Sequence, residues 1–231
     1  DAKLLPLGAY KVLASMLNAI EQGAPWPSEM LCGRLAFLAK DPANADAPLA
    51  YRPLLIMPHF YRRWAAHKLH GLNGWVQRWA TPEMFAGVPD QGAEDAWWLT
   101  SLTLEATEAK GNAFSGGSAD IPKCFDMIVR PLLYMVAKQA GMPVQILDAY
   151  TRYMENMVVR NTIGKGIGQP YTRRSGIPQG CPLSMMFIAL QMRPWVIAMR
   201  GIGAIPRILA DDLMIITTGM HHCATMEKAI N

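Results

Sequence analysis

Two adjacent carboxylates, Asp211 and Asp212, stand between Ile208-Leu209-Ala210 and Leu213-Met214-Ile215-Ile216. No other feature restricts the fold of this chain so strongly. The flanking runs are rich in strand formers, so residues 206–210 and 213–218 read as two short β-strands around a tight acidic turn. An unpartnered carboxylate is expensive to bury, which keeps both acids out of a core. Successive strand residues point to opposite faces, yet at a hairpin turn both side chains can reach one rim. A divalent cation relieves the repulsion between carboxylates gathered at such a rim. Asp120 is the third acid of interest, because it follows an expected strand, precedes an expected helix and so sits at a strand end. Three carboxylates at one rim can hold two Mg²⁺ ions about 4 Å apart, the arrangement of two-metal nucleotidyl transfer. By spacing alone, a surface turn carrying two acids is the commoner explanation.

The remainder of the chain excludes several classes. It has 231 residues, 51% hydrophobic and 17% charged, which suits one or two globular domains and not a disordered tail. No stretch reaches the roughly 18 uncharged apolar residues that cross a bilayer, the best being 182–192, so no membrane partner is expected. Cys32, Cys124, Cys181 and Cys223 form no CxxC and fit no zinc spacing. Free thiols in a reducing compartment are expected, and with them an intracellular place, nucleus or cytoplasm. His221, His222 and Cys223 are consecutive and diverge too far to bind one metal together.

The net charge of +4 is unevenly spread: residues 1–118 carry −1 and residues 119–231 carry +5. Arg152, Arg160, Lys165, Arg173 and Arg174 face the single acid Glu155 in their stretch. Such a run is either a solvated face or a surface that meets phosphate.

Apolar spacing predicts helices over 4–21, 60–77 with an interruption near 71–74, 93–109, 129–139, 144–156 and 182–200, the last kinked at Pro194. Residues 157–161 alternate as a strand, 163–170 form a glycine-rich turn, and 171–174 return as a hairpin with basic ends. Residues 111–118 look like a glycine- and serine-rich linker. A further helix begins at Met220.

Ser175-Gly176-Ile177-Pro178-Gln179-Gly180-Cys181-Pro182-Leu183-Ser184 resembles a loop-and-helix motif of reverse transcriptases, especially those of non-LTR retrotransposons and group II introns. Leu209-Ala210-Asp211-Asp212 resembles the aromatic-Ala-Asp-Asp hairpin of that family, with Leu209 in place of the aromatic. Residues 119–128 resemble its first palm motif, an Asp followed five residues later by an aromatic. Tyr51-Arg52-Pro53-Leu54 resembles its fingers motif, with Lys40 as the basic residue before it, and Gln91-Gly92-Ala93-Glu94-Asp95-Ala96 is similar to the opening of the helix ahead of the first catalytic strand.

The resemblance implies an α+β fold, the palm of a right-hand polymerase with a mostly antiparallel sheet backed by helices from Val129, Val144 and Pro182. It implies fingers over 1–105, a first palm segment over 106–140, a fingers-proximal helix and basic hairpin over 141–178, and a truncated second palm segment over 179–231. No thumb is recognisable, so the expectation is a piece of a longer enzyme, inactive by itself. The implied activity is RNA-directed DNA polymerisation with two Mg²⁺ ions, or Mn²⁺ in their place, on an RNA template and DNA primer with deoxynucleoside triphosphates. Asp120, Asp211 and Asp212 would be catalytic and metal-binding, and Phe125 would lie under the incoming sugar. Lys40 and Arg52 would meet the triphosphate, Gln179 and Gly180 would line the nucleotide, and Arg173 and Arg174 would hold nucleic-acid backbone. A non-catalytic nucleic-acid-binding relic of a retroelement and an RNA-directed RNA polymerase are the alternatives, the second disfavoured by the ring of Phe125. Oligomeric state is not legible.

Overall fold

The computed structural model describes residues 6–39 and 51–231. The first elements are helix α1 (Leu7–Glu21), a 3-10 turn (Ser28–Leu31), and strands β1 (Cys32–Ala39) and β2 (Tyr51–Ile56). Helices α2 (His59–Gly71), α3 (Asn73–Trp79) and α4 (Ala93–Ala109) lead to strand β3 (Phe114–Asp120). Helices α5 (Cys124–Met127), α6 (Arg130–Gln139) and α7 (Val144–Asn156) precede strands β4 (Val158–Ile163), β5 (Gly166–Ile167) and β6 (Tyr171–Thr172). Helix α8 (Ser184–Gly201), strands β7 (Ile205–Leu209) and β8 (Asp212–Thr218), and helix α9 (His222–Ile230) complete the order.

The chain divides into two units, each assembled from two segments: Asp1–His70 with Ile128–Pro182, and Gly71–Met127 with Leu183–Asn231. These breaks differ from the boundaries at 105, 140 and 178 that the motifs suggest. Helix α4 packs on β7, which draws it to the second unit, and α7 packs on α1 and α6, which draws both later helices to the first. Of the three helices expected behind the acidic sheet, only α8 therefore shares its unit.

The first unit carries a mixed sheet in the order β2-β1-β4-β5, with β6 also antiparallel to β4. Strands β1 and β4 run parallel, which requires the long crossover that the chain makes between them. Pro53 lies in β2 at the sheet edge, the place where a residue without an N–H is tolerated. The core of this unit is aromatic: Trp26 packs edge-on against Tyr61, Trp64 and Tyr153, and Tyr61 stacks on Tyr153 with ring centroids 3.5 Å apart. The Trp26 indole donates to the Ala149 carbonyl at 2.8 Å, so the ring brings its polar handle into the core already satisfied. Arg152, expected on a phosphate-facing run, instead donates to the Ile20 carbonyl in the last turn of α1. The same carbonyl accepts the Gly23 N–H at 3.1 Å, and a cation there suits the negative end of the helix dipole.

The second unit carries an antiparallel sheet in the order β3-β8-β7. Beyond β7, the segment around Met84 continues the pairing: the Phe85 N–H donates to the Ile208 carbonyl at 2.8 Å, and the Ile208 N–H to the Glu83 carbonyl at 2.9 Å. Helix α8 backs β7, running unbroken through Pro194, and α9 packs on β8 and β3. The glycine-rich stretch that reads as a linker is β3 itself. It is an edge strand in which only Ser115 is partly covered, so no burial selected β-branched side chains for it. Helix α4 spans the residues its pattern predicts, yet it buries only Thr107 and leaves Trp97 66% exposed.

Candidate active site

The link between β7 and β8 is two residues, Ala210 and Asp211, closed by the pairing of Leu209 with Asp212. Ala210 adopts φ +60°, a left-handed backbone at the first link position, as in a type II′ turn where glycine is usual. For a residue with a Cβ this costs about 1–2 kcal/mol, strain that persists because the surrounding ladder dictates the turn. The Asp211 carbonyl accepts the Ile121 N–H at 3.0 Å, which ties the turn to the end of β3.

Asp120 and Asp212 are direct partners in the β3–β8 ladder and so share a face of the sheet. Asp211 lies one residue earlier in the turn, half-buried, while Asp120 and Asp212 are exposed. Asp120 and Asp211 nonetheless act on one group. The buried Cys124 thiol, at the start of α5, is pushed up to about 11, first by burial and then by the negative charges of Asp211 and Asp120. Asp120 and Asp212 open onto a cavity of about 420 Å³ that is lined also by Leu209, Leu213, Met214 and Trp97.

Among the described residues, no group of three or more His, Cys, Asp or Glu side chains is set to hold a metal ion. Three carboxylates at one rim, as expected for Mg²⁺, need not form a closed cage of protein ligands. Magnesium seldom uses such a cage: it takes one or two carboxylates, keeps waters and completes its shell with substrate phosphate. Two hard oxygen donors at a strand end, with no ion pair to neutralise any of the three acids among the described residues, fit that chemistry.

Phe125 lies in the single turn of α5 and is 8% exposed, in the same unit as the acids. Arg52, Arg173, Arg174, Gln179 and Gly180 belong to the other unit, and Lys40 lies outside the described residues. Arg52, Arg174 and Gln179 are exposed, and Arg173 is half-buried. Gly180 approaches a strand of its own unit closely. A Cβ there would stand 2.8 Å from the Leu55 carbonyl of β2, so the missing side chain admits a strand of its own unit. Gly180→Ala is expected to destabilise this unit by about 1–3 kcal/mol, as overpacking does, because a backbone oxygen cannot rotate away. Urea denaturation measures it; an unchanged midpoint would mean that Gly180 does not lie against β2.

Arg130 is the residue that sequence reading missed. It is 3% exposed and donates to the Met154 carbonyl at 2.9 Å and to the Arg173 carbonyl, with Glu155 3.3 Å from its Nε. It thereby fixes the backbone that enters the 175–184 loop, whose Gly176 N–H also donates to the Ile128 carbonyl at 2.8 Å. A signal existed: an arginine in the first turn of an apolar helix opposes the dipole and so implies partners beyond the helix.

No family model matches the chain, and no curated protein matches it in sequence. Solved structures do resemble it. Apo telomerase from Candida tropicalis, truncated from its C-terminal domain, has a TM-score of 0.59 at 13% identity, covering 96% of this chain and 51% of that one. Telomerase from Candida albicans has a TM-score of 0.57 at 12% identity, covering 95% and 42%. The chain thus spans about half the length of the structures it matches, or less. At such identities the likeness shows the fold alone, and that fold is the one used by telomerase, a reverse-transcriptase-related enzyme.

Proposed function

We propose that the chain supplies the fingers and part of the palm of an RNA-directed DNA polymerase of the non-LTR retrotransposon and group II intron type. It extends a DNA primer on an RNA template with deoxynucleoside triphosphates. The observation that carries this reading is the pairing of Asp120 with Asp212 beside a turn that ties Asp211 to the same strand end. Telomerase from two Candida species is solved in complex with a fragment of telomeric RNA, which supports RNA as a partner.

Asp120 and Asp211 would hold the divalent cations, with Asp212 beside them. Magnesium bound there would supply a more acidic primer 3′-OH and charge neutralisation at the leaving pyrophosphate. The 3′-oxygen forms its bond to the α-phosphorus as the bond to the β-phosphate oxygen breaks. Lys40 and Arg52 meet the triphosphate as charge grows on it, and Arg173 and Arg174 hold nucleic-acid backbone. Gln179 lies along the nucleotide.

Phe125 excludes the 2′-OH by volume. Packing an oxygen against a seated ring costs about 1–3 kcal/mol, up to roughly a hundredfold in rate. Phe125→Ala is expected to raise ribonucleotide incorporation far more than it lowers deoxynucleotide incorporation, measured by single-nucleotide extension. A ratio that stays flat makes Phe125 a core residue only. The function itself is tested by primer extension on an RNA template with Mg²⁺, using the full gene product. Extension on RNA supports the polymerase; strong RNA binding without extension on any template establishes the non-catalytic alternative.

A further inference from the structure

Helix α4 is built inside out. An amphipathic helix ordinarily turns its large apolar residues to the layer it packs on and its polar residues to water. Here Ala96, Thr100, Thr103 and Thr107 form the less exposed row of a helix that packs on β7, so the side toward the sheet is mostly threonine. Each hydroxyl donates to the carbonyl one turn back: Thr100 to Ala96 at 2.7 Å, Thr103 to Leu99 at 2.6 Å and Thr107 to Thr103 at 2.7 Å. Satisfied within the helix, these hydroxyls need nothing from the sheet. Arg207 of β7 adds a polar tie, donating to the Leu99 carbonyl at 3.1 Å and to the Thr103 hydroxyl at 2.9 Å. The outer side carries Trp98, Leu99, Leu102, Ala106 and Ala109 at the three- and four-residue spacing of a helix-pairing seam. All five are exposed, Trp98 by 57% and Leu102 by 43%.

Area and charge decide what covers this seam. With Trp97 it exposes on the order of 400 Å² of apolar surface, a size at which a patch is often functional. That is about half of the roughly 800 Å² that each partner of a stable dimer buries, and it is one helix wide. Glu94, Asp95, Glu105 and Glu108 rim the seam against Lys110 alone, and Glu94, Glu105 and Glu108 form no ion pair among the described residues. Two copies of α4 would set like charges face to face, which opposes self-pairing; a basic rim complements them. At the start of the helix, Trp97 and Trp98 stand with ring centroids 6.1 Å apart and planes inclined by 33°. With Glu94 and Asp95 they line a notch of about 570 Å³. The Asp95 carboxylate already caps α4 by accepting the Gly92 N–H at 2.8 Å, which leaves Glu94 for a ligand. Indole faces beside a carboxylate suit a guanidinium, which stacks on a ring and pairs with the acid at once. We propose that the outer face of α4 docks a basic amphipathic helix of a protein partner, its apolar side along Trp98, Leu102 and Ala106 and an arginine in the notch. The surface does not depend on the polymerase reading.

Fluorescence anisotropy of two labelled, designed helical peptides, titrated with the full gene product, tests the surface. One peptide carries leucines at its heptad a and d positions and arginines at e and g; the other has glutamate in place of every arginine. The arginine peptide should bind at least about tenfold tighter, by a margin that shrinks as salt rises. Trp98→Ala with Leu102→Ala should weaken it about tenfold or more, as loss of central apolar anchors does. Glu94→Gln with Glu105→Gln should remove most of the preference between the peptides. Ile163→Ala, at an exposed isoleucine of the first unit, should change nothing. Because all the substituted side chains are exposed, each variant should melt as wild type does, which separates lost binding from lost folding. No binding of the arginine peptide, equal binding of both, or binding indifferent to Trp98 and Leu102 overturns the proposal. So does a dimer in sedimentation that Trp98→Ala with Leu102→Ala dissolves, since a second copy then covers the face. Acrylamide quenching of the full product that stays the same when Trp97 and Trp98 become Phe overturns it as well, because its own chain then covers both rings.

Discussion

Asp211→Asn lowers primer extension by the full gene product about a thousandfold or more and leaves RNA affinity at the wild-type level. A thousandfold corresponds to about 4 kcal/mol of transition-state stabilisation, the scale on which loss of a main electrostatic group is felt. Asparagine keeps the shape and the backbone carbonyl that accepts the Ile121 N–H, so the turn should survive. Thermal stability should hold or rise, because one of a group of unpaired acids has gone. The Cys124 thiol supplies an internal check. Its pKa is raised by negative charge as well as by burial, so neutralising Asp211 lowers it from about 11 toward the ordinary thiol range. Paramagnetic resonance of Mn²⁺ should show weaker binding to the variant. Activity within tenfold of wild type, or Mn²⁺ binding indifferent to Asp211, would falsify its assignment as a metal ligand.

The hairpin was legible because two independent signals coincided: strand formers on both sides and charge that no core accepts. Helices α4 and α7 were legible over the full spans Ala93–Ala109 and Val144–Asn156, because each is long and closed by turn residues. Strand β3 was legible only as the strand that Asp120 ends; its glycine-rich span was not, since an edge strand exposed on both faces leaves no alternation to read. The ladder partner of Asp120 was not specified by the sequence, because register is weakly fixed in a glycine-rich strand. The close approach of Gly180 to the Leu55 carbonyl and the hydrogen bond of Arg152 to the Ile20 carbonyl were not legible, since both partners lie more than a hundred residues away in sequence.

Gly87→Ala is expected to cost about 3–5 kcal/mol, a large part of the 5–15 kcal/mol that holds a domain of this kind. The backbone at Gly87 has φ +72°, where any Cβ is strained by about 1–2 kcal/mol. That Cβ would also fall 2.2 Å from the Met185 carbonyl oxygen and 2.6 Å from the Met186 nitrogen. Both are backbone atoms in the first turn of α8, so no rotamer change relieves the overlap, and the helix end or the Gly87 segment must move. Either motion disturbs the second unit at its centre, since α8 backs β7 and the segment just before Gly87 is paired to β7 at Ile208. Gly74→Ala supplies the contrast. Gly74 sits in α3 with no atom within 4 Å of its would-be Cβ, so alanine there should stabilise by about 0.4–1 kcal/mol. Denaturant melts of the two variants beside wild type should therefore move in opposite directions. Hydrogen exchange in the Gly87 variant should lose protection first at β7 and β8, the strands that carry Asp211 and Asp212, and extension should fall with the folded fraction. A melt within about 1 kcal/mol of wild type would mean that the Gly87 segment does not lie against the start of α8.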